Sequence, residues 1–217
     1  TADTFMELYP LLPAHIDLII QIVSGLRTQG GISKHVGGAN RTIIKLAQQV
    51  LIHPDVNLAA QPVGALVRID QIYDLVSGNV SSELRGKISA IPAQTRHPLA
   101  QAVAKAVCLL QYVRSVHRTQ ANIAALLHPA VDADSRLSEV TATLQELCDC
   151  GLVLHGDDGY RIPTPAEEEW QKQRSGLGAK PGDIKRIEAE ALQAMWQPQP
   201  QHKLMNVRTF RAGLSFQ

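Results

Sequence analysis

Aromatic residues are scarce in this sequence: they make up 4% of its 217 residues, whereas hydrophobic residues as a whole make up 45%. The core is therefore expected to consist mainly of Leu, Ile, Val and Ala side chains. No apolar run approaches the roughly 20 residues of a bilayer-spanning helix. The first ten residues, TADTFMELYP, also lack the basic start and apolar stretch of a signal peptide. These absences predict a soluble, cytoplasmic protein without membrane partners.

Net charge and cysteine content give equally little sign of a special ligand. The formal net charge is +1, which gives no whole-chain indication of binding to nucleic acid. There are three cysteines, and an odd number without a secretion signal fits a reducing compartment. Cys148 and Cys150 are two residues apart, which is a weak match to the spacing of structural zinc sites. We therefore expect no metal in this chain.

Catalytic motifs are missing as well. Gly86-Lys87 is followed by Ile88 and has no glycine five residues before it, so it is not a Walker A motif. No apolar run ends in paired acids like a Walker B strand, and no G-x-S-x-G occurs. We expect that this chain alone does no chemistry. Because the sequence does not begin with Met, we also expect it to be a piece of a longer protein.

The hydrophobic spacing predicts a mainly α fold, in which a helical subdomain precedes a winged helix with a small β-hairpin wing. Residues 1–58 are assigned to the helical subdomain, which becomes lid-like only through the family resemblance given below, and residues 59–96 to a connector. Residues 97–175 are assigned to the winged-helix domain. Residues 176–217 contain a linker, a helix from Ile184 to Trp196 and a weakly alternating tail that fits a strand.

Proline, glycine and apolar residues set the predicted helices of the first half. One helix runs from Pro13 to about Thr28, and a second runs from about Asn40 to His53 after a long polar loop. The connector then holds a segment over 65–69 that fits a short strand or a helix entry. Two further helices follow, over Asp70–Ser77 and Ser81–Ile91.

The winged helix is predicted from three helices followed by a hairpin. Its first helix runs from Pro98 to about Val116, its second is capped by Thr119, and its third is capped by Asp134 or Ser135. Two strands, LVLH and YRIP, flank the tight turn GDDG. This order of elements within about seventy residues is that of a winged helix.

The charge of this segment argues against direct reading of DNA. Residues 97–163 contain 5 Lys or Arg and 7 Asp or Glu, so their net charge is 5 − 7 = −2. The third helix and its approach carry five acids, among them Glu139 and Glu146, against Arg136 alone, and the wing adds Asp157 and Asp158. Since cations that neutralise phosphates supply most non-specific affinity, we expect the winged helix to make protein contacts. A winged-helix DNA-binding regulator with a helical N-terminal domain is the alternative.

The stretch Leu26–Val50 is the main candidate for a ligand site. No acid occurs between Asp17 and Asp55, whereas the stretch contains the cations Arg27, Lys34, Arg41 and Lys45. Cations near a helix start suit an anion such as a phosphate, because the unpaired N–H groups and the helix dipole also attract it. Arg27 and Lys34 are the candidates for nucleic-acid contact. A solvated loop followed by a helix with ordinary surface cations explains the same residues.

Two features together resemble a known family. The segment Tyr9-Pro10-Leu11-Leu12-Pro13 opens one helix, and Gly38-Ala39-Asn40-Arg41-Thr42 opens the next, with a winged helix some fifty residues later. This arrangement resembles the lid and winged helix of a large AAA+-like P-loop ATPase, and more narrowly the BREX phage-defence ATPase of the BrxC/PglY type. The resemblance covers about residues 5–175.

The resemblance implies a role that the residues alone do not. It implies that a domain outside this chain binds most of the ATP, and that Arg41 serves as a sensor-type contact to the γ-phosphate, with Asn40 or Lys45 assisting. The connector would pass lid motion to the winged helix. The implied partners are other subunits of a defence complex, with self-association as a further expectation and DNA left open. A structural scaffold, in which Arg41 makes an internal salt bridge, is the third hypothesis.

Overall fold

The computed structural model describes residues 2–29, 37–178, 180–213 and 215, and the side chains of residues 29 and 37–43 lie outside that description. The chain divides into two units, residues 1–164 and residues 165–217, which are described separately. Across the described residues the fold is mainly helical with two small antiparallel sheets, which confirms the predicted fold class. The predicted domain boundaries at residues 58, 96 and 175 remain predictions.

The N-terminal helices are α1 (Ala2–Leu8), α2 (Pro13–Gln29) and α3 (Gly37–Ile52). Helix α2 begins at the proline that predicted its start and packs against α3. Helix α3 begins three residues before the predicted Asn40, within the glycine pair. One face of α2 enters the core through the side chains of Leu18, Ile19, Ile22, Val23 and Leu26.

The connector contains α4 (Ile69–Val76) and α5 (Ser82–Gln94), both close to their predicted bounds. Helix α5 continues past the predicted end at Ile91 and includes Pro92, which has no N–H for the carbonyl of Ile88. The side-chain amide of Gln101 donates to that carbonyl at 3.3 Å, so the carbonyl keeps a hydrogen bond. A residue from a neighbouring helix therefore makes the proline tolerable in the last turn.

The winged helix comprises α6 (Ala100–Leu110), α7 (Gln120–Leu126), α8 (Leu137–Asp149), β1 (Leu154–Gly156) and β2 (Gly159–Arg161). The strands pair antiparallel, with His155 opposite Tyr160. Thr119 caps α7 as predicted, because its hydroxyl accepts from the N–H of Asn122 at 3.2 Å. The three helices and the hairpin pack around one apolar core that they share with α2, α4 and α5.

Two predicted boundaries in this region are wrong. Helix α6 ends at Leu110 instead of about Val116, because tertiary hydrogen bonds hold the following residues: the side chain of Gln21 accepts from the N–H of Arg114 at 3.3 Å. Helix α8 begins at Leu137, after the predicted cap at Asp134 or Ser135, and its N-cap residue Arg136 makes no side-chain cap. The hydroxyl of Ser135 instead accepts from the N–H of Leu137 at 3.4 Å.

The second unit comprises α9 (Pro165–Gly176), α10 (Pro181–Met195), β3 (Gln201–Leu204) and β4 (Arg208–Arg211). None of its described residues is buried. The weakly alternating tail is thus a two-stranded hairpin instead of a single strand, with His202 opposite Phe210. Its base is tied to the end of α10, because the indole N–H of Trp196 donates to the carbonyl of Ala212 at 3.2 Å.

Candidate interaction surface of the winged helix

The third helix of the winged helix, α8, separates its residues cleanly between core and solvent. Its inward face buries Val140, Thr143, Leu144 and Leu147. Its outer stripe, as we call the exposed residues facing away from the core, comprises Ser138, Glu139, Ala142, Gln145 and Asp149. The amide of Gln145 donates to the carboxylate of Asp149 at 2.8 Å. The outer stripe contains no lysine or arginine, and both of its charges are negative.

Glu146, which the sequence suggested as part of the negative reading face, has a structural role. Its carboxylate accepts from the backbone N–H groups of Arg96 and His97, at 2.8 and 3.2 Å. The neighbouring Thr143 hydroxyl donates to the carbonyl of Glu139 at 2.7 Å and lies 2.8 Å from Nδ1 of His97. The entry to α6 is therefore fixed to α8, and Glu146 is withdrawn from the outer stripe.

The wing is anchored to the start of α7 through Tyr160 and Arg118. Nε of Arg118 donates to the carbonyl of Tyr160 at 2.8 Å, and the phenol of Tyr160 accepts from the side-chain amide of Gln120 at 2.9 Å. Gly159 has a φ of 93°, and a Cβ there would collide with the carbonyl oxygen of Arg118. Glycine is thus required where the wing crosses the segment before α7.

An open groove of about 620 Å³ lies between this anchored wing and the first residues of α7 and α8. Its wall at the wing consists of His155 and the exposed turn residues Asp157 and Asp158, and the ring of His155 lies 4.6 Å from that of Tyr160. The opposite side is lined by residues of α7 and α8, including Leu137. The groove therefore combines two carboxylates with imidazole and hydroxyl groups, and none of the described residues that line it is a lysine or an arginine.

The cations of the winged helix do not compensate for these carboxylates. Lys105, 16% exposed, is bound to Asp74 at 2.7 Å, and Arg118 is engaged with the wing backbone. Arg161 also has an interaction partner. Arg136 is half-buried at the start of α8, and Arg114 is exposed after α6. The outer stripe and the wing tip together carry only negative charge.

The predicted residues of the basic stretch are only partly described. Lys34 lies outside the described residues. Asn40 and Arg41 belong to the backbone of α3, but their side chains are outside the description. Lys45 is exposed on the same helix, and Arg27 is half-buried in the last turn of α2, where it has an interaction partner. Their proposed contacts to a nucleotide or to nucleic acid thus remain predictions.

The connector is hydrogen-bonded to both of its neighbours, which the sequence did not indicate. On one side, the N–H of Leu66 donates to the carbonyl of Pro129 at 2.8 Å, in the loop between α7 and α8. On the other side, the N–H of Val67 donates to the carbonyl of Pro10 at 3.1 Å. The hydroxyl of Tyr9 accepts from the N–H of Gly64 at 2.7 Å. This segment therefore joins the turn before α2 to the winged helix.

Comparison with known proteins gives no further assignment. No protein-family model matches the chain, and no solved structure matches it. Within the described part of the chain, no group of three or more His, Cys, Asp or Glu side chains is arranged to hold a metal ion. Among the same residues, no single helix is long and apolar enough to cross a membrane. The helices Ala2–Leu8 and Pro13–Thr28, which are bent by 55° relative to each other, reach the required length and apolar composition only when they are taken together.

Proposed function

We propose that the winged helix of this chain binds a protein partner through the outer stripe of α8 and the wing groove. The observation that carries the proposal is the absence of lysine and arginine from the described outer stripe and groove, together with the carboxylates of Asp149, Asp157 and Asp158. A duplex-reading winged helix needs cations at these positions, because phosphate neutralisation supplies most of the non-specific affinity.

The magnitude of that effect decides between the two kinds of partner. Each phosphate contact contributes about 0.9 to the slope of log K against log salt for duplex DNA. With no cation on the outer stripe, this surface contributes essentially none of that slope, and the wing carboxylates oppose approach of the backbone. A protein segment with lysine or arginine side chains fits the same charge, and its apolar atoms can pack on Leu137, which is 42% exposed in the groove.

Site-specific photo-crosslinking tests the proposal in the cell. A photoreactive residue placed at Ala142, in the middle of the outer stripe, is expected to form discrete adducts with protein. The charge reversal Asp157→Lys with Asp158→Lys should weaken those adducts, because it removes the attraction for a basic segment. A photoreactive residue at Ser89, exposed on α5, serves as the control position. Adducts with nucleic acid at position 142, or protein adducts whose yield does not change on charge reversal, would contradict the proposal.

The second part of the proposal rests on the family resemblance. We propose that α3 closes the nucleotide site of a BREX-type defence ATPase, and that Arg41 contacts the γ-phosphate of ATP held mainly by another domain. Helix α3 begins at Gly37, so the backbone of Arg41 lies in its second turn, one turn from the unpaired N–H groups that favour an anion at a helix start. An always-charged guanidinium suits a terminal phosphate there, because it can donate two parallel hydrogen bonds.

ATP turnover by the longer protein tests this second part. Arg41→Ala is expected to reduce turnover strongly while leaving the helical circular dichroism unchanged. Gln48→Ala, an exposed position further along α3, is the matched control and should leave turnover at the wild-type rate. Wild-type turnover by Arg41→Ala would remove the sensor role and favour an internal salt bridge, whereas a longer protein without any ATPase activity would remove the ATPase assignment altogether.

A further inference from the structure

The C-terminal hairpin, β3 with β4, has a charge of one sign only. No acidic residue occurs between Glu190 and the end of the sequence, whereas Lys203, Arg208 and Arg211 all lie in the hairpin. All three cations are exposed. The hairpin therefore carries three positive charges with no compensating carboxylate in its own segment, and a polyanion complements it.

The strand register divides these residues between two faces. Directly paired residues point to the same side of a sheet, and successive residues alternate between the two sides. The pairs Gln201–Arg211 and Lys203–Thr209 therefore share one face, which we call the basic face. The pairs His202–Phe210 and Leu204–Arg208 share the other face. The guanidinium of Arg208 lies there over the ring of Phe210, 5.4 Å from its centre.

The hairpin also has a fixed base. The indole of Trp196 and the side-chain amide of Gln199 both donate to the carbonyl of Ala212, at 3.2 and 2.8 Å. The N–H of Ala212 in turn donates to the carbonyl of Pro200 at 2.9 Å. These hydrogen bonds join the end of the hairpin opposite its turn to the residues that follow α10. The orientation of the basic face relative to α10 is therefore fixed.

We infer that the basic face, formed by Gln201, Lys203, Thr209 and Arg211, binds the phosphate backbone of double-stranded DNA. Lysine, arginine, glutamine and threonine are all among the side chains that contact DNA phosphates. A two-stranded antiparallel ribbon also fits the major groove of a duplex. The inference uses no residue of the winged helix, so it is independent of the function proposed for that domain.

The separation of the two faces favours a duplex over other polyanions. Proteins that hold single strands stack bases on aromatic rings, but Phe210 lies on the face opposite the basic one and under Arg208. A membrane-binding surface presents its apolar and basic residues together at the lipid boundary. Here Leu204 and Phe210 share their face with a single cation, Arg208, whose guanidinium covers the ring of Phe210, while Lys203 and Arg211 lie on the other face.

Salt-dependent binding of the whole chain to a labelled duplex of about 20 base pairs, measured by fluorescence anisotropy, tests the inference. Two matched single changes compare the faces: Arg211→Gln removes a cation from the basic face, and Arg208→Gln removes one from the opposite face. Arg211→Gln is expected to lower the slope of log K against log salt by about 0.9. Between about 50 and 200 mM salt, this variant loses roughly three- to fourfold less affinity than the wild type does. Arg208→Gln should keep the wild-type slope.

A second pair of variants adds a positive charge instead of removing one. The expected result is then stronger salt dependence of DNA binding, which misfolding would not produce. Gln201→Lys adds a cation to the basic face and is expected to steepen the slope by about 0.9, whereas His202→Lys adds one to the opposite face and should not. Equal effects of Arg208→Gln and Arg211→Gln would overturn the inference. Absence of duplex binding by the wild type, or stronger binding to single strands or to anionic lipid vesicles than to the duplex, would also overturn it.

Discussion

The imidazole of His15 is the buried group whose replacement has the most directly calculable effect. It is 2% exposed near the start of α2, its Nδ1 accepts a hydrogen bond from the N–H of Leu12 at 3.4 Å, and its Nε2 has no described partner. Burial lowers the pKa of His15 from 6.5 to about 4, because the charged imidazolium loses its hydration. The folded protein therefore holds this side chain neutral at pH values where the unfolded chain binds a proton.

The sign of the resulting pH dependence follows from that difference. Below pH 6.5 the unfolded state gains a proton at this residue, and the folded state does not gain it until about pH 4, so acid favours unfolding. Each unit between the two values corresponds to about 1.4 kcal/mol, so His15 alone should lower the free energy of unfolding by about 3 kcal/mol across this window. This destabilisation reaches its full size below about pH 4 and is absent well above pH 6.5.

Urea unfolding, followed by helical circular dichroism at several pH values, measures this effect. Leu cannot bind a proton, so His15→Leu should not show this acid-dependent decrease in the free energy of unfolding. The difference in unfolding free energy between His15→Leu and the wild type should therefore shift by about 3 kcal/mol in favour of the variant between neutral pH and about pH 4. Ile19→Val changes a buried side chain of the same helix that carries no ionisable group, so its effect on the free energy of unfolding should be the same at every pH. A difference between His15→Leu and the wild type that does not change with pH would refute the reasoning.

Two further predictions concern the wing and the cysteines. Gly159→Ala should cost about 2–4 kcal/mol in urea unfolding, because its φ is 93° and a Cβ would strike the carbonyl of Arg118. Gly156→Ala, where the nearest atom lies at 4.0 Å, should cost below about 1 kcal/mol, and equal costs would argue against this explanation. In native protein, iodoacetamide should modify the exposed Cys150 first and Cys108 last, because burial raises the pKa of Cys108 to about 12. Peptide mass spectrometry measures that order, and early labelling of Cys108 would show that its region of the core opens.

Local patterns predicted most of the helices, and tertiary hydrogen bonds explain the deviations from those predictions. The cap at Thr119 is a local interaction and was predicted. The apolar spacing through Val113 continues the pattern of α6, but the helix ends at Leu110 because Gln21, some ninety residues earlier in the chain, binds the N–H of Arg114. No periodicity in the sequence contains that information, since the partner comes from a different helix.

The candidate surfaces illustrate the same limit. The acidic character of the third helix is visible in composition, but the role of Glu146 is not, because it depends on where the backbone of Arg96 and His97 passes. In the tail, the alternation suggested a strand, whereas the two faces follow only from the register that places Lys203 opposite Thr209. A shift of one residue in that register would put the cations on a different side. The number of charges can thus be read from the sequence, but the face of the hairpin on which each charge lies depends on how the two strands pair.

The contacts of α2 bear on how a lid would communicate with the winged helix. The resemblance implied transmission through the connector, but α2 also contacts the winged helix directly: a Cβ at Gly25 would lie 2.9 Å from Cβ of Tyr112. The side-chain amide of Gln21 donates to the hydroxyl of Ser115 at 2.8 Å. The side chain of Gln111 accepts from the N–H of Ile162, just after β2, at 2.9 Å. A displacement of α2 would therefore also act on residues 111–115, which support the wing through Gln111.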